Sequence, residues 1–280
     1  MVTRANLART LRTLGLERYE ATLACLARPA IRIAAEACDD AELPIGGSKL
    51  GGRPDLPGAS PWPARDGCPL SFIAQLDCGE LQRFESGALL PPSGLLSFFY
   101  DAQEQPWGRD SDERDAWHVR HHPPSDSLAR RAFPPDVSSE DDFGRRLRFR
   151  AKRLAFRELL TFPGNYQYAD LEALRRHWTP DDAGFAVEAH EVELLHHLYE
   201  DPEKSRTEHQ LFGYPSVIQN PMQPELAEVT GVDADAWRLL LQVDSQDDMM
   251  WGDLGMVYFW IPGDALRERA FDRTWLILQC

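Results

Sequence analysis

Two apolar stretches decide the fold. Residues 70–77 read Leu-Ser-Phe-Ile-Ala-Gln-Leu-Asp, and residues 94–100 read Gly-Leu-Leu-Ser-Phe-Phe-Tyr. In the first, every second residue from Leu70 to Leu76 is apolar, and a period of two places these side chains on one face of a β-strand. The second is apolar nearly throughout after its glycine, which is typical of a strand covered on both faces. The two stretches predict a β-rich core.

The pattern of these stretches recurs near the C-terminal end. Three elements appear twice in the same order: Leu-x-Gly-x-Pro at 50–54 and 211–215, Gln-apolar-Asp at 75–77 and 242–244, and a glycine followed by an aromatic-rich strand at 94–99 and 255–260. The first and last elements begin 44 residues apart in both copies, while the middle one is displaced by six residues. The spacing predicts two pseudo-duplicated halves. The alternative is that two unrelated hairpins share glycines and aromatic residues.

The remaining segments complete an α+β prediction. Leucines at 7, 11 and 14 indicate a helix in a helical N-terminal segment, residues 1–40, with further helices before Pro29 and over 30–38. Residues 41–280 are predicted to form a single domain, with repeat halves at about 44–100 and 209–262 and a helical and loop insert over 101–208. Within the insert, helices are predicted over 141–160, 169–177 and 184–200. Strands are predicted over 237–243, 256–261 and 274–279.

Composition bounds the classes of function. The chain has 280 residues, 43% of them hydrophobic, and a formal net charge of −15 at pH 7. This excess of acid argues against general affinity for nucleic acid, because phosphate contacts require surplus Lys and Arg. The sequence begins without a signal-peptide pattern and contains no run of about 18 apolar residues that would predict a membrane span. Five cysteines without a C-x-x-C pair predict reduced thiols in a cytoplasmic protein.

The ordered motifs resemble a known family. Ser-Lys-Leu-Gly-Gly-Arg-Pro at 48–54, the two stretches quoted above, His-Gln-Leu-Phe-Gly-Tyr-Pro at 209–215, Trp-Gly-Asp-Leu-Gly at 251–255 and the final Trp-Leu-Ile-Leu-Gln-Cys are similar to the YwqG-like family, DUF1963. The resemblance covers about residues 44–280. It implies a bacterial protein with a mixed, β-rich fold and offers no established catalytic residues. Members occur near toxin and secretion genes, which implies an immunity or accessory binding role.

Several polar residues are candidates for a ligand site in a cleft between the halves. They are Lys49, Arg53, Gln75, Asp77, His209, Gln219, Gln242, Asp244, Trp251 and Asp253. Gln and Asp at strand ends more often bind the backbone of turns, so a purely structural role is the favoured alternative. Trp251 is either an exposed contact residue or folded back on the sheet.

Recognisable catalytic and metal motifs are missing. The glycine-rich loop before Pro54 has Ser-Lys where a phosphate-binding loop needs Lys-Ser/Thr, although Lys49 and Arg53 remain candidates for an anion. The histidine clusters at 118–122 and 190–197 have no zinc signature, and the aspartates at 244–253 have no calcium-loop pattern. We therefore expect no metal, no cofactor and no catalytic residues.

A basic segment stands out against the acidic chain. Residues 141–160 carry a net charge of +4, and the docking candidates are Arg145, Arg146, Arg148, Arg150, Lys152, Arg153 and Arg157. A docking stripe for an anionic partner is one interpretation. The favoured alternative is a solvated helix face that pairs with the protein's own carboxylates.

These observations favour a non-catalytic cytoplasmic binding protein that contacts a protein partner, such as a cognate toxin. An acidic surface accelerates association with a basic partner by electrostatic steering. The competing hypothesis is a small-molecule binder or enzyme that uses the cleft between the halves.

Overall fold

The computed structural model describes residues 2–58, 60–135, 137–140, 147–162 and 207–280. Its strands are β1 Arg28–Ala37, β2 Lys49–Leu50, β3 Asp55–Pro57, β4 Ala64–Arg65, β5 Cys68–Pro69, β6 Ser71–Asp77, β7 Leu95–Tyr100, β8 Trp117–His122, β9 Leu128–Arg130, β10 Lys152–Thr161, β11 Gln210–Phe212, β12 Trp237–Asp244, β13 Met256–Pro262 and β14 Trp275–Gln279. Its α-helices are α1 Leu7–Leu14, α2 Glu20–Leu26, α3 Cys78–Leu81, α4 Met222–Thr230 and α5 Gly263–Glu268.

Ten strands form one antiparallel sheet in the order β14-β13-β12-β11-β1-β10-β2-β6-β7-β8. The sheet curves into a nearly closed, barrel-like shape, and its two edge strands approach each other. The indole of Trp117 on β8 meets that of Trp275 on β14 at 5.0 Å between ring centroids. Trp117 Nε1 also donates to the carbonyl of Thr274 at 2.9 Å. These contacts protect the edges that an open sheet would expose.

The centre of the sheet is the long ladder between β1 and β10, and a four-stranded arm continues on each side. One arm is β2-β6-β7-β8 and the other is β11-β12-β13-β14. In the first arm Lys49 lies opposite Gln75, and in the second Gln210 lies opposite Gln242. The next strand in each arm, β7 or β13, directs apolar side chains into a common core. There the ring centroids of Phe98 and Phe259 lie 5.2 Å apart.

The strands predicted from apolar patterning are confirmed. The strand over 95–100 has the predicted bounds, and all six of its residues are buried. The strands near 70–76, 237–243, 256–261 and 274–279 differ from β6, β12, β13 and β14 by one residue at either end. Continuous apolar runs identify them because both faces of the sheet are covered in these arms.

Two helix predictions are wrong, and both concern the central ladder. Residues 30–38 form most of β1, and residues 152–160, predicted as part of a basic helix, lie in β10. Ile31 and Ile33 alternate with smaller or polar residues and enter the main core, which is the period of a strand. Alanine and arginine are good helix formers, but helix propensity is a weak bias that strand pairing across the chain overrides. The described part of the predicted insert is consequently strand-rich.

The predicted helices before Pro29 are confirmed as α1 and α2. Their buried leucines pack with Tyr19 against Leu160 and Phe162 in a cluster separate from the main core. Gly15 ends α1 in the left-handed conformation at φ 71°, which glycine adopts without steric cost. The helices predicted over 169–177 and 184–200 lie outside the described residues. The β-rich part of the α+β prediction is confirmed. No helix in the described ranges is long and apolar enough to cross a membrane.

Candidate functional site

Two of the three predicted cleft glutamines, Gln75 and Gln242, are completely buried and bind backbone. Gln75 Oε1 accepts from Asp55 N at 2.9 Å, and its Nε2 donates to Gly47 O at 2.8 Å and to Asp55 Oδ2 at 2.7 Å. Gln242 Oε1 accepts from Ser216 N at 2.9 Å. Each glutamine thus holds a loop onto the outer face of the sheet and exposes no atom to a ligand.

The aspartates that follow them are also structural. Asp77 Oδ1 accepts from Gly79 N at 2.9 Å and caps α3. Asp244 Oδ2 accepts from Glu208 N at 2.9 Å, and burial raises the pKa of this carboxyl above its usual value. The favoured alternative for both pairs, a role at turns, agrees with these contacts.

A buried ionic network surrounds Lys49 beneath the glycine-rich loop. Lys49 Nζ lies 3.0 Å from Asp40 Oδ1 and 3.8 Å from Asp55 Oδ1, and it donates to Arg53 O at 2.6 Å. Arg53 Nε reaches Asp40 Oδ2 at 3.1 Å, and Arg130 Nε reaches Asp55 Oδ1 at 3.0 Å. The cations predicted to bind an anion, Lys49 and Arg53, are therefore already paired with carboxylates.

Titration in this network follows from its contacts. Burial alone raises the pKa of Asp40, but hydrogen bonds and attraction from Lys49, together with bonds from Arg53, outweigh it and hold the pKa below its usual value. Burial lowers the pKa of the Lys49 ammonium. Three cations around two carboxylates give a satisfied cluster that fixes the loop over residues 40–55.

In the second arm His209 precedes Gln210, as Ser48 precedes Lys49 in the first arm. Its Nδ1 accepts from Asp244 N at 3.0 Å, and its Nε2 lies 2.9 Å from Gln246 Oε1. Burial lowers the pKa of this imidazole to about 4. His209 is therefore neutral at physiological pH, with a proton on Nε2 and a lone pair on Nδ1.

The basic segment forms no stripe in its described part. Lys152 is buried and pairs with Asp248 at 2.9 Å, whereas Arg153 is exposed and pairs with Glu42 at 2.9 Å. Arg148 donates to Val137 O and stacks over the Phe133 ring. The other positions are an exposed Arg150, a half-buried Arg157, and Arg145 and Arg146, which lie outside the described residues. Internal pairing, the favoured alternative, agrees with the contacts of Lys152 and Arg153.

The connection between β12 and β13, residues 245–255, forms a rigid projection that we call the tip loop. Trp251 folds back into the core, with its ring 5.9 Å from that of Tyr100 and 5.5 Å from that of Phe149. Its backbone N–H donates to Ser245 Oγ at 3.0 Å, and its carbonyl accepts from Gly255 N at 2.7 Å. The tryptophan is thus an anchor and not a contact residue.

The residues after that anchor are exposed. Asp253 is exposed, and the Leu254 side chain is 69% exposed although its backbone has φ 57°. A non-glycine residue in this region costs about 1–2 kcal/mol. Buried Gln105 bonds the loop through Met250 O at 3.0 Å and Gly252 N at 2.7 Å. The tip loop therefore displays an apolar side chain in a strained and fixed conformation.

Gln219 lies beside the C-terminal residue and not in a cleft. Its Nε2 donates to Cys280 O at 2.5 Å, and its backbone N–H donates to Gln279 Oε1 at 3.2 Å. A Cβ atom added to Gly252 would lie 2.4 Å from Cys280 Sγ, so the tip loop packs directly on this end of the chain. The predicted residues 219, 251 and 253 consequently belong to one side of the second arm.

A cavity of about 660 Å³ opens beside the loop that follows β7. Its lining includes Trp107, one guanidinium from Arg65, and four carboxylates. The carboxylates are those of Asp66, Asp101, Glu104 and Glu113. Arg65 Nη1 and Asp101 Oδ2 form an ion pair at 3.2 Å. None of the ten predicted cleft residues lines this cavity.

Metal and cofactor ligands are not assembled in the described part of the chain. No group of three or more His, Cys, Asp or Glu side chains there has an arrangement that would hold a metal ion. His121 Nε2 lies 3.1 Å from Ser93 O, and burial lowers the pKa of His118 and of His122. The second histidine cluster, 190–197, lies outside the described residues.

Sequence reasoning overlooked Arg32, which is 5% exposed and lies on β1 between β10 and β11. The signal was a lone arginine between two isoleucines. The segment was predicted to be helical, and no role was predicted for Arg32.

Comparison with known proteins agrees with the motif resemblance. A family model described as "Domain of unknown function (DUF1963)" matches residues 48–280. No curated protein matches the chain. Because the matched region takes in both arms of the sheet and most of the sequence, the chain belongs to the DUF1963 family.

Proposed function

We propose that this protein is a non-catalytic binding protein that contacts a protein partner through the tip loop. The observation that carries the proposal is Leu254, an exposed apolar side chain held at a positive φ. Strained backbone persists where the surrounding structure fixes it, and such positions concentrate at binding surfaces. The buried Trp251 and the bonds from Gln105 supply that fixation.

A rigid loop suits recognition because little conformational entropy is lost on binding. Asp253 places a carboxylate next to Leu254, and Met250 adds a partly exposed thioether. An apolar anchor with acid beside it favours a partner that has a small apolar pocket bordered by Lys or Arg. The net charge of −15 supports a basic partner, and a cognate toxin is the specific candidate.

We also propose that the two arms are duplicated copies of one unit. Gln75 lies opposite Lys49 and binds the backbone of Gly47 and Asp55, which are two residues before and six residues after that lysine. Gln242 lies opposite Gln210 and binds the backbone of Glu208 and Ser216, which are two residues before and six residues after Gln210. A one-residue irregularity in strand register occurs two residues before each glutamine. In both arms the same glutamine atoms bind backbone groups at the same distances along the sequence. This agreement supports common descent more strongly than shared glycines do.

A cytoplasmic location fits the cysteines. All five are free thiols. Burial raises the pKa of Cys78 to about 12, so this thiol is inert. Free thiols are typical of a reducing compartment.

The proposal is tested by affinity capture from host lysate at low salt with matched variants. Leu254→Asp places a charge on the tip loop, and Leu89→Asp does the same to a 51% exposed leucine on the connection between β6 and β7. We expect one stoichiometric basic protein to be retained by the wild type and by Leu89→Asp and lost from Leu254→Asp. Equal capture by both variants would refute a role for the tip loop.

The kinetics of the captured pair test the electrostatic part. Association steered by charge slows steeply as salt rises, whereas the dissociation rate changes little. We expect the association rate constant to fall at least 10-fold between low and physiological ionic strength. A flat salt response would remove the argument from net charge.

The second candidate function is small-molecule binding, and the cavity beside Trp107 is the observation that favours it. Its volume lies within the range of ligand sites, about 300–1,000 Å³. A metabolite thermal-shift screen tests this candidate with Glu104→Lys at the cavity and Asp253→Lys outside it. A ligand shift lost only in Glu104→Lys would support the cavity, and no shift with any ligand would count against it.

A further inference from the structure

We infer that Arg32 forms an anion-binding site, on the face of the sheet opposite the main core, for a ligand with a carboxylate or phosphate oxyanion. Arg32 is 5% exposed, and its Nε and Nη1 atoms have no hydrogen-bond partner in the described part of the chain. A buried guanidinium with free N–H groups carries a large desolvation cost, which a bound anion offsets.

The position of Arg32 in the sheet defines the site. Its neighbours on the strand, Ile31 and Ile33, belong to the main core, so alternation directs Arg32 to the other face. Arg157 of β10 lies directly opposite on one side, and Gln210 of β11 on the other. Like charges directly opposite each other destabilise a sheet. An anion bound to Arg32 would offset the repulsion between the two guanidinium groups.

The other buried cations have carboxylate partners, which makes Arg32 the exception among the described residues. Lys49 contacts Asp40, and Lys152 contacts Asp248. No ion pair within 4.0 Å is formed by Arg32 with any described carboxylate. A fold that pairs its other buried charges internally is expected to pair this one with something outside itself.

A second pair of facing residues on β1 and β10 provides a comparison for Arg32 and Arg157. Four residues along β1, Glu36 lies opposite Arg153, so opposite charges face each other there. Arg153 is exposed and also contacts Glu42 at 2.9 Å. Arg32 and Arg153 are thus arginines on adjacent strands with contrasting surroundings, and only Arg32 is buried without an acid.

Two further groups lie within electrostatic reach of Arg32 but do not neutralise it. Asp244 directs Oδ2 to the backbone of Glu208, and the positive charge of Arg32 is a minor influence on its pKa. His209 is uncharged because burial lowers its pKa to about 4, and Arg32 contributes to that lowering.

The chemistry of the guanidinium selects the ligand class. Its planar N–H groups match carboxylate and phosphate oxygens, and charge-assisted hydrogen bonds of this kind are about twice as strong as neutral ones. Chloride offers no oxygen pair and serves as the ionic-strength reference.

The experiment measures thermal unfolding and titration heat with inorganic phosphate, sulfate and acetate in a chloride buffer of constant ionic strength. We expect at least one oxyanion to raise the Tm of the wild type by several degrees. A response to phosphate and sulfate alone identifies a phosphate-type ligand, and a response to acetate identifies a carboxylate ligand.

Two substitutions assign the response to the site. Arg32→Met is expected to raise the Tm in chloride alone, because it removes a buried charge, and to abolish the oxyanion response. Arg153→Met is the matched control and is expected to keep the response. If Arg32→Met does not fold, Arg32→Lys keeps the charge and is expected to weaken the apparent affinity at least 10-fold.

Three results would overturn the inference. They are no Tm shift with any oxyanion, an equal shift in Arg32→Met, and a large Tm loss in Arg32→Met together with an unchanged oxyanion response in Arg32→Lys. None of these outcomes depends on whether the tip loop binds a protein partner.

Discussion

Replacing Gln75 with Met separates a structural role from a ligand-binding role. Methionine keeps the length of the side chain but leaves Asp55 N and Gly47 O without their partner. An unpaired buried N–H costs about 1–3 kcal/mol, and the lost bond to the Asp55 carboxylate adds about 1.5–3 kcal/mol before other donors compensate. Gly46 N and Arg130 still reach that carboxylate. The free energy of unfolding is therefore expected to fall by about 3–4 kcal/mol.

The equivalent substitution Gln242→Met leaves Ser216 N and Glu208 O unpaired and breaks no bond to a carboxylate. We expect a smaller loss, about 2–3 kcal/mol. Gln219→Met is the exposed control and should change stability by no more than about 0.5 kcal/mol. Urea unfolding followed by tryptophan fluorescence measures all three. If the free energy of unfolding falls by less than about 1 kcal/mol for both buried glutamines, the structural role is refuted and both residues are again candidates for ligand binding.

The remaining predictions concern titration, strain and thiols. The pKa of His209 is about 4 in the folded protein and about 6.5 unfolded, so its contribution is full above pH 6.5 and is lost as pH falls from 6.5 to 4. The unfolding free energy of His209→Gln should therefore decrease by about 3 kcal/mol less than that of the wild type between pH 6.5 and pH 4. An equal decrease in both proteins would contradict this. Leu254→Gly should raise the unfolding free energy by about 0.5–1 kcal/mol, because strain relief exceeds the entropy cost of glycine. It should also weaken partner capture, because it removes the exposed apolar side chain, and unchanged capture would contradict the role proposed for Leu254. A thiol reagent should label Cys25 and Cys68 in the native protein and reach Cys78 only after unfolding, and rapid native labelling of Cys78 would disprove its burial.

Strands with continuous apolar character were predictable from the sequence, but the central ladder was not. β7 and β13 consist almost wholly of residues that prefer buried strands. β1 contains four alanines and two arginines, and β10 mixes basic and apolar residues, so that each resembles an amphipathic helix locally. Their partners are more than 100 residues apart, so only the assembled sheet decides their conformation.

The site was predictable in part. Gln75 and Gln242 were predicted to be related by the repeat, and the preference for a structural role at their strand ends agrees with the contacts. The expected cleft fails because loops held by those same glutamines cover them. Sequence patterns report spacing along the chain and not what folds over a side chain, which also explains why Trp251 had two open interpretations.

Comparison of the two arms bears on where the proposed partner would bind. Around Lys49 the first arm satisfies every buried charge with its own carboxylates. In the second arm His209 is neutral and the tip loop holds Leu254 in a strained conformation, while Arg32 of the central strand β1 has two unpaired donors. Strain alone does not separate the arms, because Asp66 and Gln105 beside the first arm also have positive φ. The proposed role of the second arm rests on Leu254, which is both strained and 69% exposed.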